Sequence, residues 1–305
     1  MSLLAGLGGV GATARVPKVQ ARSGHHWLLL GPGLVYLLLF FVLPVGVLLM
    51  TSLYVPVEGG EVGQYARALH WQNYGNALGQ FWRQLVRSFG FASIATLAAL
   101  AIGYPMAYTI AVRVRQRKLL QGLLLVLVIA PFFTSFILRT IAWKQILADE
   151  GPVVNALQWW HILPPDGRLT ATPFAVVCGL VYNFLPFMVL PIYANLERLD
   201  ARMLEAGADL YASPFTTFRK VTFPLSMPGV VSGTLLVFIP ASGDYVNSTL
   251  LGNSTNTAMI GQVVDQRFTR LLDYPTAASL SAILMVVILA LVITYVRRSG
   301  TEELL

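Results

Sequence analysis

Apolar residues in this chain come in long blocks, with polar residues gathered between them. Six blocks approach or pass the length of about 20 apolar residues that a helix needs to cross a bilayer. They are Trp27–Leu53, Phe89–Val112, Leu119–Trp143, Thr172–Asn195, Gly229–Gly252 and Thr276–Val296, the fourth and fifth being the more polar. A helix pairs all its backbone groups internally, which is the condition for residence in hydrocarbon. The pattern therefore predicts an all-α polytopic membrane protein with six transmembrane helices. A Gly/Ala-rich tail (1–23) precedes one transmembrane domain (24–298), and a short tail (299–305) follows it. In the first connection, Tyr65–Val86 has helical periodicity with Trp71, Tyr74, Phe81 and Trp82, which predicts an interfacial segment. Gly151-Pro152 and Pro164-Pro165 mark breaks in the loop 144–171.

Composition agrees. Only 11% of the 305 residues are charged and 56% are hydrophobic, against roughly 25% charged in a soluble domain. The net charge of +7 is distributed by side. Arg15, Lys18 and Arg22 precede the first block. Arg113, Arg115, Arg117 and Lys118 fill the second connection, and Arg198, Arg202, Arg219 and Lys220 the fourth. Arg297 and Arg298 follow the last block. The alternate connections carry mixed charge. This bias predicts that both termini and the 197–228 loop face the cytoplasm, and it accounts for the basic character without nucleic acid. The first block is longer than a signal-peptide core and reads as an uncleaved helix.

Several chemistries find no support. Cys178 is the single cysteine, and it and the four histidines have no zinc-site spacing. Gly6–Gly11 matches the letters of a dinucleotide fingerprint but lacks the preceding strand and following helix. No lysine follows a glycine, so the chain carries no P-loop. No nucleophile–base pair suggests an enzyme, and no pair of inverted repeats suggests a secondary transporter. Asp244 is the intramembrane carboxylate of most interest, because such a group faces a cavity or a partner. Its alternatives are a structural pair with Arg139 or a headgroup-level place at the outer end of the span, and Arg139 and Lys144 are expected to snorkel to the outer interface. Tyr182, Asn183, Tyr245 and Asn247 could add aromatic faces and acceptors to a pathway, or act as helix–helix glue.

The 197–228 loop predicts helix, break, helix. Asp200 is placed to cap a helix through Glu205 toward Leu210. Ser213 as N-cap with Pro214 at the first position starts a second helix, Phe215, Phe218 and Val221 share one face beside Arg219 and Lys220, and Pro224 ends it. Such a short amphipathic helix must pack on its own bundle or on a partner.

Glu205-Ala206-Gly207, with Pro224 nineteen residues after the glutamate, resembles the "EAA" signature of binding-protein-dependent ABC importers. Gly207 stands where Ala is usual, and Tyr211 where the pattern has its typical Gly, a position suited to the left-handed conformation. Pro131–Trp143, Val181–Tyr193, Gly243–Asn247, Leu250–Gly252, Met259–Gly261 and Leu272–Pro275 are similar to spermidine/putrescine permeases, so that the resemblance covers most of 27–297. It implies a type I ABC importer permease of MetI-like fold in a bacterial inner membrane. It also implies a coupling loop over 200–224, a second permease subunit, an extracytoplasmic polyamine-binding protein, and an ATPase dimer that binds ATP and Mg while this chain holds no cofactor. Related permeases carry iron, thiosulfate, phosphonates or opines.

Overall fold

A computed structural model describes residues 25–200, 202–203, 211–253 and 255–298. Residues up to Val47 fall in one unit and those from Leu48 in another. The described part of the first unit is helical: α1 (His25–Leu37), a π-helical turn Leu38–Val42, and the start of α2 (Leu43–Thr51). The π turn precedes Pro44. Its wider pitch lets the amide of Leu43 reach back to Leu38 O, so the helix passes the proline without ending.

The second unit opens with an antiparallel pair of two-residue strands, β1 (Val55–Pro56) and β2 (Tyr65–Ala66). Helices follow: α3 (Gln72–Tyr108), α4 (Lys118–Ile129), α5 (Phe136–Ile146), α6 (Pro152–Trp159), α7 (Pro173–Glu197), α8 (Pro214–Thr217), α9 (Phe223–Leu225), α10 (Met227–Ser242), α11 (Val246–Leu251), α12 (Ile260–Thr269) and α13 (Tyr274–Arg298). Among the described residues, four helical stretches are long and apolar enough to cross a membrane: Leu30–Thr51, Gln72–Arg113, Pro173–Glu197 and Tyr274–Arg297. Two bent pairs raise the number to as many as six, Lys118–Phe133 with Phe136–Ile146 (97°) and Pro214–Leu225 with Met227–Ser242 (64°).

One expectation is corrected, and two of the blocks carry a break. The segment Tyr65–Val86 is not a separate interfacial element, because α3 runs unbroken from Gln72. Its aromatic residues are partly internal: Phe81 is buried, and Tyr74 Oη lies 2.6 Å from Ser52 Oγ. The third block is not straight. Pro131 sits in a 3-10 turn, Thr134 caps it through Oγ1 to Pro131 O at 2.8 Å, and Thr134 and Ser135 are extended, which turns the chain. The fifth block is interrupted at 243–245, between α10 and α11.

The core is the α3–α7–α10 triple. Ala92, Ala95, Ala99, Gly103 and Ala107 form a buried small-residue stripe on α3, the pattern by which membrane helices approach closely. On α10, a Cβ at Gly229 would lie 2.8 Å from Asn195 Cβ and 2.9 Å from Pro191 O. Burial of Met188, Val189, Ile192 and Leu196 on α7 fills the seam. The helix α7 starts as its residues dictate: Thr172 Oγ1 accepts from Ala175 N, and Pro173 takes the first helical position. At its other end, Arg115 donates to Leu199 O at 3.0 Å, a cation on the terminal carbonyls of a helix.

Candidate coupling segment and buried polar site

Ser213 caps α8 as its residue type predicts, with Thr216 N donating to Ser213 Oγ at 3.2 Å. The expectation that Pro224 ends this helix is corrected. A π turn at Phe218–Thr222 precedes the proline, Phe223 N–H bonds back to Phe218 O, and the helical path continues through α9. The direction changes at Ser226 instead. There Ser226 Oγ donates to Phe223 O at 2.9 Å. Its single proton thus used, it accepts from Tyr104 Oη at 2.7 Å in a buried contact. Tyr104 also meets Phe218 edge-on (5.6 Å) and Phe223 (5.8 Å), while Tyr108 meets Phe218 edge-on (5.9 Å).

The predicted apolar face is thereby divided. Phe218 packs against its own bundle, whereas Phe215 is 70% exposed and Tyr211 98% exposed. Arg219 and Pro224 are exposed beside them. Tyr211 has φ of 53°, so it adopts the left-handed conformation that a glycine would adopt there without strain. Asp200 accepts from Arg202 N at 3.0 Å. Glu205, Ala206 and Gly207 lie outside the described residues.

At the other end of the core, Asp244 occupies the break between α10 and α11. Its carboxylate accepts from Asn247 N (2.8 Å) and Asn247 Nδ2 (3.2 Å), so both oxygens are engaged. Asn183 Nδ2 donates to Asn247 Oδ1 at 3.1 Å and to Thr140 Oγ1 at 3.0 Å. The network ties α5, α7 and α11 together, and Asp244, Asn183 and Asn247 are buried in it. Thr140 is a member that sequence reading missed, because one threonine in an apolar run carries no distinguishing pattern. Arg139 forms no ion pair with Asp244. It is buried, with its guanidinium over the Phe136 ring at 5.5 Å. Tyr182 packs on Trp143 at 5.4 Å. Tyr245 stays 47% exposed, so of the five pathway candidates it alone offers a largely open face.

The comparisons with known proteins converge on one reading. Residues 99–299 match the family described as the binding-protein-dependent transport system inner membrane component. The chain belongs to this family. It is similar to the spermidine/putrescine transport system permease protein PotB of Escherichia coli (strain K12), 39% identical over 219 residues, 72% of this chain and 78% of that one. The PotB of Haemophilus influenzae is 35% identical over 261 residues (85% and 89%). The inner membrane ABC transporter permease protein YdcU of Escherichia coli is 31% identical over 232 residues (72% of each). In fold, the chain resembles a bacterial ABC transporter involved in import of the acidic polysaccharide alginate, with TM-score 0.66, 16% identity and coverage of 91% and 96%. As an inner-membrane permease component, the chain is a multi-pass, non-catalytic transport subunit, and ATP binding belongs to a separate ATPase subunit.

Proposed function

We propose that this permease forms half of the pathway of a polyamine importer, taking up spermidine or putrescine. The observation that carries the reading is the 39% identity to PotB across 72% of the chain. A second, paralogous permease completes the pathway, an extracytoplasmic polyamine-binding protein delivers substrate, and an ATPase dimer supplies the energy. The distribution of arginines and lysines orients both termini, the turn 113–118 and the loop 200–224 toward the cytoplasm.

The ATPase docks on the loop 200–224 through the open side of α8, where Phe215 and Tyr211 present unpartnered apolar surface with Ser213, Pro214, Arg219 and Pro224 around them. Glu205, Ala206 and Gly207 complete the segment by their resemblance to the family signature. Closure of the ATPase on ATP moves α8, and the packed Phe218–Tyr104–Ser226 contact carries that movement into α3 and α10. The result is alternating access by rigid-body rocking. Among the pathway candidates, Tyr245 faces the substrate. Asp244, Asn247 and Asn183 hold the break that positions it, and Tyr182 packs behind α5.

Uptake of labelled spermidine and putrescine, in cells with and without the gene and other polyamine carriers removed, tests the reading. ATP-dependent uptake that disappears with the gene and returns with it is expected. Unchanged uptake refutes the polyamine assignment.

A further inference from the structure

We propose that the cavity bordered by Tyr245, Asp265 and Phe268 is a receiving site for polyammonium cations, in which Asp265 supplies the counter-charge. The inference rests on the polyamine reading above and assigns a site within it. The cavity is an open cleft of about 610 Å³ among α10, α12 and α13, lined by Gly243, Tyr245, Asp265, Phe268 and Ser281 with aliphatic side chains between them. That volume suits a small organic substrate.

The carboxylates at this end of the core differ in what they have left to offer. Asp244 has both oxygens engaged by Asn247. Asp273 is paired with Arg267 at 2.9 Å. Asp265 forms no ion pair among the described residues, and it faces the cavity. Arg267, two positions along the same helix, is drawn away by Asp273 and lies over the Phe81 ring at 5.1 Å. The partly exposed carboxylate of Asp265 therefore borders an open cleft and has no ion-pair partner among the described residues.

Two rings complete the chemistry. Tyr245 and Phe268 are 47% and 55% exposed, and Phe268 is held edge-on against Tyr274 at 5.1 Å. An ammonium group is attracted both to a carboxylate and to an aromatic face, and the methylene spacers of a polyamine match the aliphatic walls. An anionic substrate would be repelled by Asp265, and a neutral one would gain no charge pairing from it.

The test uses the complete complex in proteoliposomes, with the binding protein saturated by labelled spermidine or putrescine and rates normalised to assembled transporter. Asp265→Asn is expected to slow spermidine uptake about tenfold, the worth of one charge-assisted contact, with Asp265→Glu restoring most of it and putrescine losing less than spermidine. An independent readout uses a Cys178→Ser, Phe268→Cys chain. A cationic thiosulfonate should label it faster than an anionic one, and adding Asp265→Asn should erase the difference. Wild-type polyamine uptake that Asp265→Asn leaves unchanged, or equal labelling by the two reagents, overturns the site. Absence of polyamine uptake by the wild-type complex overturns instead the substrate reading on which the ligand class depends.

Discussion

Tyr104 on α3 and Ser226 at the bend before α10 share a buried hydrogen bond of 2.7 Å. Pro224 and Pro228 flank this joint, and their missing amide protons leave the carbonyls of Lys220 and Pro224 without their ordinary helical donors. At the bend itself the amide and the hydroxyl of Ser226 both bond Phe223 O, and Tyr104 Oη closes the set. Ser226→Ala leaves the Tyr104 hydroxyl without this partner in an apolar seam, whereas after Tyr104→Phe the Ser226 hydroxyl keeps its bond to Phe223 O. Tyr104→Phe is expected to cost about 1 kcal/mol of stability, and the double variant Tyr104→Phe/Ser226→Ala little more than either single one. Denaturant titration of the purified permease in mixed micelles reads the cycle, and additive losses would show that the two hydroxyls act separately.

The glycine contacts on α10 give a sharper test of the core. Gly229 leaves no room for a Cβ against the backbone of α7, the nearest carbonyl oxygen being 2.9 Å away. Gly229→Ala should separate α10 from α7 and cost about 1–3 kcal/mol. Gly90→Ala on α3 meets nothing within 4 Å and should instead gain up to about 1 kcal/mol from helix propensity. Thermal melts of the two variants should therefore move in opposite directions.

Much of this architecture is legible in the residues. Apolar blocks give the spans, Ser213-Pro214 gives the start of α8, and alternating basic connections give the proposed orientation. What the blocks conceal is direction within a span. The turn at Thr134 lies inside an apolar block, and the break at Asp244 in a polar stretch that the length of the fifth block absorbs, because hydropathy counts transfer energy and is blind to backbone dihedrals. Pro224 misleads for a related reason. A proline ends a helix only where the carbonyl four residues back cannot be accommodated, and the π turn at 218–222 accommodates it. The role of Asp244 was hidden by a neighbour: only the folded chain brings Asn247 onto both its oxygens.

That network supports a prediction of its own. Asn247 joins Asp244, Asn183 and Thr140. Asn247→Ala removes the side-chain donor to Asp244 Oδ2 and the acceptor of Asn183 Nδ2, leaving each group one buried partner, and should cost about 1–3 kcal/mol, whereas Asn247→Asp would set two carboxylates together and cost at least as much. Trypsin resistance of the membrane-embedded variants provides the measurement. A wild-type digestion profile for Asn247→Ala would remove the network from the account of stability.

Tyr211 holds φ of 53° with its ring exposed. A left-handed backbone costs a non-glycine residue about 1–2 kcal/mol, so Tyr211→Gly should raise the melting temperature of the isolated permease. If the ring also belongs to the ATPase contact, the same variant should bind the ATPase more weakly. Stability and association, measured by calorimetry and co-purification, should thus diverge.

We propose that energy enters this permease through the exposed side of α8. The most direct measurement pairs Phe215→Asp with the wild-type chain in membranes, scoring ATPase co-purification and ATP-driven uptake together. Phe215 is largely exposed and borders no core cluster, so the variant should insert normally. The account predicts loss of the bound ATPase and of uptake at an unchanged level of permease. Full ATPase retention with full uptake would contradict it.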